Sequence, residues 1–278
     1  MILRIAVYAT ALVAAGSVLA RVFLDNLDHT ARGQLCNQAA LAALVGIVVS
    51  AALIPLRVWF LTGDSIVGAA EPTLIGMVTD SPLGDSVLWR GAGLVLIFLL
   101  GIVDTTFTRS LAIVGAALVA FSFAMIGHTM AEPRWLLAPL VVLHTTMVAF
   151  WIGGFRPLHS MALGAPHLAG ALAHEFGQKA LGAVGVLIVS GGLLLVLLAG
   201  SPARILETPY GQLFAIKLGV FSVLMGLAAL NKLYLTPALR AGRRSAAGRL
   251  RRSIRAEVRL VALIFVVTAL ATTITSPA

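Results

Sequence analysis

Two histidines lie in apolar surroundings, where an imidazole is costly unless it has work or a partner. His144 sits inside the run Leu143-His144-Thr145-Thr146-Met147-Val148-Ala149-Phe150-Trp151, and His128 closes Ala124-Met125-Ile126-Gly127-His128. Each has a methionine three positions away, Met147 after His144 and Met125 before His128, and residues three apart on a helix share a face. Imidazole plus thioether suits copper, especially cuprous copper, better than calcium or magnesium. Ordered by depth, the four residues form a ladder of His128, Met125, His144 and Met147, and Trp151 extends the stripe seven residues beyond His144. A plainer reading stands beside this one. Methionine fills membrane cores without metal, and a lone intramembrane histidine can simply hydrogen-bond to a neighbouring helix. Haem or porphyrin ligation by the two histidines is a third reading. At 1.5 Å rise per residue their depths differ by about 9 Å, which is awkward for a single haem.

Further polar residues interrupt the apolar runs. Tyr210, Lys217 and Asn231 are spaced by seven and fourteen residues, so they fall on one helical face. With Trp151 they make a candidate polar path through the bundle. Arg57, Arg90 and Lys217 lie near helix ends and are expected to snorkel their charges towards the interface. His159, His167 and His174, with Glu175, fall in a segment read as an inner loop, 156–177. Metal release to the cytoplasm could use them, or they are solvated histidines with ordinary titration. His29 reads as exposed.

The elements that must hold these residues are membrane helices. The chain has 278 residues, of which 59% are hydrophobic and 11% charged, against about 25% charged in a soluble domain. The apolar residues come in blocks of about 20, the length that crosses a bilayer's hydrocarbon core. The blocks are approximately Ile2–Leu24, Ala39–Leu61, Val87–Val103, Ser110–Gly127, Leu136–Phe155, Gln178–Ala199, Leu213–Leu235 and Val258–Thr273. Backbone in lipid must satisfy its own hydrogen bonds, so the blocks are helices. The expected fold is all-α: one polytopic helical bundle over residues 1–278 with about eight transmembrane helices, embedded in the lipid bilayer. Breakers such as Pro82-Leu83-Gly84, Glu132-Pro133 and Thr236-Pro237 mark the seams.

The net charge of +9 does not point to nucleic acid. Nine of the twenty Lys and Arg residues fall between Lys232 and Arg259, in and beside one loop, the mark of a cytoplasmic face. Fixing that loop inside places both termini outside, in the periplasm. The inner face then carries fourteen Lys and Arg and the outer face six. The outer loop 62–86 is acidic, with Asp64, Glu71, Asp80 and Asp85. The first block resembles a signal peptide in Arg4 and Val18-Leu19-Ala20. Removing it would put the arginine-rich loop outside, so it is read as the first helix. Cys36 is alone, which excludes an internal disulfide or a CxxC site.

The last third of the chain carries a resemblance. It includes Tyr210-Gly211-Gln212-Leu213-Phe214-Ala215-Ile216-Lys217, Ala229-Leu230-Asn231-Lys232-Leu233, Thr236-Pro237-Ala238-Leu239 and Leu250-Arg251-Arg252-Ser253-Ile254-Arg255-Ala256-Glu257. Gly127-His128, Leu143-His144 and Phe150-Trp151-Ile152-Gly153-Gly154 form a second match. Gly84 with Trp89-Arg90, and His174-Glu175-Phe176-Gly177, are weaker ones. On these residues the chain resembles the CopD family of bacterial copper-resistance membrane proteins over about residues 80–278. Lys232 stands where the family pattern often has Arg, and Phe176-Gly177 where it often has Phe-Ser.

The resemblance implies eight helices in the bacterial inner membrane and movement of copper across it, inward. It also implies a periplasmic copper-binding partner of the CopC type, no catalytic role, and a copper ion as cargo. Such a role would be passive or gradient-coupled, because no P-loop or DKTGT phosphorylation site is visible. A haem-type redox enzyme, and a chaperone handing copper to an oxidase, remain the alternatives.

Overall fold

The computed structural model describes residues 1–63, 67–130, 132–199 and 208–274, without the side chains of His128, Thr129, Leu163, Ala199, Tyr210, Arg244 and Ile274. Among these residues every regular element is helical and none is a strand. The helices are α1 Ile2–Phe23, α2 His29–Ala51, α3 Leu53–Leu61, α4 Pro72–Thr79, α5 Pro82–Ile102 and α6 Thr106–Ser122. They continue with α7 Arg134–Gly164, α8 Pro166–Ala199, α9 Pro209–Leu230, α10 Thr236–Arg240 and α11 Arg244–Ile274. Local sequence sets several boundaries. Asp28 Oδ1 accepts from Ala31 N at 2.6 Å to start α2, Thr105 and Thr108 form a reciprocal capping box at α6, and Thr208 Oγ1 caps α9 through Gly211 N.

Among the described residues seven helical segments are long and apolar enough to cross a membrane: 2–23, 29–61, 82–102, 106–125, 134–162, 166–198 and 211–240. The eighth apolar block, Val258–Thr273, is the C-terminal half of α11, whose first half is rich in arginine. That helix ends beside the start of α1: Arg4 Nη1 donates to the Thr272 carbonyl at 2.5 Å, and Tyr8 and Thr272 hydroxyls meet at 3.3 Å. The two ends of the described chain therefore share one face of the bundle.

α1 is the central helix, packed on α2, α6, α7 and α11. It meets α7 at Gly16 and Gly153, where a Cβ on either glycine would strike the other helix's backbone at 1.9–2.2 Å. Small residues permit that approach, which lipid alone would not drive. α2, α5 and α6 form one flank. On the other, α8 lies against α7 and α10 while α9 lies against α11, and α8 and α9 scarcely touch. Large apolar side chains on α8 and α9, such as Leu181, Val189, Leu193, Ile216, Leu218 and Val223, face outward. A surface of that kind belongs in lipid.

The structure differs from several expectations. Segment 156–177 is not a loop, because α7 runs to Gly164 and α8 begins at Pro166, with Ala165 between them. His159 is thus on α7, and His167 and His174 on α8. Likewise α2 begins at His29, so the expected inner loop 25–38 shrinks to a short turn. Apolar block length reports the depth of lipid, whereas a helix continues for as long as its hydrogen bonds and caps permit.

Candidate functional site

The site is best followed down α7. His144 is half-buried on this helix, and its Nδ1 lies 3.3 Å from Ser190 Oγ on α8. The Ser190 hydroxyl proton is already given to the Val186 carbonyl at 2.6 Å, so its oxygen accepts from the imidazole. The other α8 group at the ring, the Leu187 carbonyl, is also an acceptor. With the ring proton on Nδ1, Nε2 keeps its lone pair, the form in which imidazole binds a metal. A hydroxyl that orients the ring is the usual companion of such a ligand. The Lys217 ammonium of α9 is near enough for its charge to act on the ring, and it lies 5.9 Å from the Phe214 ring centroid.

Met147 follows one turn below His144, half-buried against the core. Trp151, two turns below, is buried and opens onto a cavity of about 390 Å³ between α7, α8, α9 and α11. Its walls are mostly apolar, including Phe155, Phe176 and Leu250, and its polar edge is built from Trp151, Asn231, Lys232, Thr236 and Glu257. Asn231 begins a π-helical turn, Asn231–Leu235, stabilised by Thr236 Oγ1 donating to the Asn231 carbonyl at 2.9 Å. Such turns displace side chains from the α-helical register and concentrate at functional sites. From that position Asn231 Nδ2 donates to Glu257 Oε1 at 2.5 Å. Asn231 Oδ1 is buried with no donor, and the Trp151 indole N–H faces the same carboxylate without reaching hydrogen-bond geometry. Two members of the expected polar path, Trp151 and Asn231, thus converge. Lys217 stays higher on α9, and the Tyr210 side chain lies outside the described residues.

The outer half of the ladder is arranged differently. α6 ends at Ser122, a 3-10 turn Phe123–Met125 follows, Ile126 is extended, and Gly127 takes a left-handed φ of 75° before a second 3-10 turn at 127–130. Met125 and His128 therefore do not share one helical face, because Gly127 redirects the chain between them. The Met125 thioether receives Arg134 Nη2 at 3.9 Å, and the His128 side chain lies outside the described residues. Among the described residues no three His, Cys, Asp or Glu gather as a metal cluster.

The inner histidines are scattered. His159 is half-buried within electrostatic range of Arg251 and Arg255. His167 and His174 are exposed. His174 borders a polar cavity of about 340 Å³ with Asp25, Asn26, Glu175, Lys179 and Arg240.

Two buried charges carry more weight here than their sequence positions suggested. Arg90 does not snorkel; it is fully buried. Its Nη2 donates to Ser86 Oγ at 2.6 Å, its Nε to Ser122 Oγ at 3.2 Å, and its guanidinium carbon lies 5.0 Å from the Phe123 ring centroid. Serines on α5 and α6 supply the oxygens that water would otherwise give. Glu257 is the residue just before the last apolar block, and its position in the sequence does not single it out. The available signal was a carboxylate abutting that block, 26 residues after the intramembrane Asn231.

Comparison with known proteins agrees with this architecture. Residues 1–136 match the family described as Copper resistance protein D-like, N-terminal domain, and residues 170–271 match Copper resistance protein D. The chain is 26% identical to Copper resistance protein D of Pseudomonas syringae pv. tomato over 230 residues, covering 77% of this chain and 74% of that protein. No solved structure matches at a significant level. The two family matches lie on either side of the segment that carries His144 and together take in nearly every helix described above, and on them the chain belongs to the copper resistance protein D family of multi-pass membrane proteins.

Proposed function

We propose that the protein moves copper across the bacterial inner membrane towards the cytoplasm, with His144 as the principal ligand of an intramembrane path and copper as cargo. The observation that carries this reading is the His144 ring. It is half-buried within a membrane span and meets Ser190 through Nδ1, so Nε2 is the nitrogen that would take a metal. Below it, Met147 and Trp151 at three and seven residues continue one face of α7 to the cavity at Glu257. Ligands at successive depths let an ion enter and leave, as conduction requires. His128 and Met125 stand at the other end as the entry pair, the first to meet copper from the periplasm. In this reading the protein has eight crossings with both termini periplasmic, and it takes copper from a CopC-type periplasmic protein.

The test is copper accumulation in cells at equal protein level. His144→Ala abolishes copper-dependent accumulation while the protein still inserts. Wild-type accumulation in the His128→Ala/His144→Ala double variant would overturn the path. Reporter fusions after Ser245 should read cytoplasmic and at the C-terminus periplasmic, and the reverse pair would invert the direction. Membranes rich in the protein show no new haem absorbance; a haem spectrum lost on His144→Ala would replace copper transport with redox chemistry.

A further inference from the structure

We infer that the cavity below Trp151 is a second binding site, for a soft monovalent cation, with Glu257, Asn231, Met225 and Trp151 as its donors. The inference deepens the copper reading and rests on it for the identity of the cargo.

The first ground is charge. Glu257 is 4% exposed, and among the described residues no Lys, Arg or His lies within ion-pair distance of it. Lys232 borders the same cavity, but its ammonium donates to the Gly177 carbonyl at 2.9 Å. A buried carboxylate with one amide donor is costly to hold, and a cation arriving in the cavity removes that cost. One carboxylate among apolar walls offsets one positive charge, which favours a monovalent ion.

The second ground is the set of unused donors. Asn231 Oδ1 is buried without any hydrogen-bond donor, which is the state of a ligand awaiting an ion and a poor state for a structural amide. Met225 lines the cavity, and a thioether selects soft ions. The Trp151 ring borders the same space, and an indole within reach of a cation attracts it. Oxygen, sulfur and ring donors of this mixed kind hold an ion loosely, as a way-station needs.

The third ground is position. Trp151 is seven residues below His144, about 10 Å along α7, so the cavity continues the face that carries the imidazole. A single π-helical turn, set by Thr236 Oγ1 on the Asn231 carbonyl and by Pro237 just after it, places Asn231 against Glu257.

The experiment titrates the full-length protein in detergent with silver(I), a redox-inert stand-in for cuprous copper, in the presence of excess sodium. In the His128→Ala/His144→Ala background one equivalent of silver still binds. Adding Glu257→Gln, which keeps the hydrogen-bond acceptor and removes the charge, weakens that equivalent tenfold or more. Met225→Leu weakens it severalfold with side-chain volume conserved. Unchanged silver affinity in both variants would overturn the site. Should Glu257→Gln fail to fold, Met225→Leu decides alone. The two readings fail separately: silver binding that ignores the histidine substitutions but falls with Glu257→Gln breaks the His144 path and keeps this site. The opposite pattern breaks this site and keeps the path.

Discussion

Glu175 and Glu257 are the same residue, both buried, yet they are built into opposite surroundings. Glu175 on α8 is saturated. Its Oε1 accepts from Asp25 N at 2.8 Å and Lys179 Nζ at 2.6 Å, and its Oε2 accepts from Asn26 N at 2.9 Å and Asn26 Nδ2 at 2.8 Å. It ties α8 to the α1–α2 turn, and Lys179 also donates to the Phe23 carbonyl. Glu257 on α11 has one amide donor, a cavity in front of it and no ion-pair partner among the described residues, the Lys232 ammonium at the cavity edge being turned to the Gly177 carbonyl. A saturated buried carboxylate holds helices together. An undersupplied one beside a cavity is poised for something that comes and goes. Burial alone does not separate the two; the accounting of partners does.

The largest expected effect tests the saturated side. Glu175→Ala leaves the Asp25 and Asn26 backbone N–H groups and the Asn26 amide without their acceptor, while Lys179 keeps the Phe23 carbonyl and Asp25, and stranded donors of this kind cost about 1–3 kcal/mol. Thermal unfolding in detergent should show that loss, with silver binding per folded molecule unchanged. A stability change near zero would remove Glu175 from the structural class.

Asp104 is a second saturated carboxylate and extends the comparison to pH. It joins Arg21 at 2.7 Å and Arg109 at 2.5 Å across the α1, α5 and α6 ends. Partial burial pushes its pKa up, but hydrogen bonds from Arg109 and Arg21 outweigh this and hold it below the usual carboxylate range. The folded form therefore binds the proton less readily than the unfolded chain. Its contribution is complete above the unfolded value of about 3.9 and is lost as pH falls through the lower folded value. Asp104→Asn should lower stability at neutral pH by about 1–2 kcal/mol, and the gap from wild type should close on acidification through that window. A gap that persists at acid pH would mean the pair contributes through packing.

Glu257→Gln should change stability by less than about 1 kcal/mol, since replacing an uncompensated buried charge by a neutral isostere is often neutral or favourable. A loss comparable to that of Glu175→Ala would place Glu257 in the same structural class and end the contrast. Met147→Leu is the mildest change. It conserves volume and should cost less than about 1.5 kcal/mol while slowing copper accumulation severalfold. Unaltered accumulation would leave His144 without a thioether successor on α7.

Much of this molecule was legible in one dimension. Scarce charge and blocks of bilayer length required a polytopic helical bundle, because lipid offers the backbone no alternative partner. His144 stood out for the same reason, as a polar group in the middle of an apolar run. Less was legible where helices outlast the apolar blocks. Segment 156–177 is polar enough to read as a loop, yet α7 and α8 continue through it, since a helix beyond the lipid needs only its own hydrogen bonds.

Linear order is enough to say that helices cross a membrane, roughly where, and which residues are costly inside them. Which of those costs are met depends on how the helices pack. Arg90 could have reached the interface by length, but α5 and α6 close over it, Ser86 and Ser122 accept from Nη2 and Nε, and Nη1 stays unpaired. Trp151, Asn231 and Glu257 lie on three different helical segments, and the spacing of one says nothing about the others. Their meeting depends on α7 and α11 packing together and on one π-helical turn at Asn231. Hydropathy is a property of each residue and survives in the linear order. Electrostatic compensation is a property of neighbours, and neighbours exist only once the helices have packed.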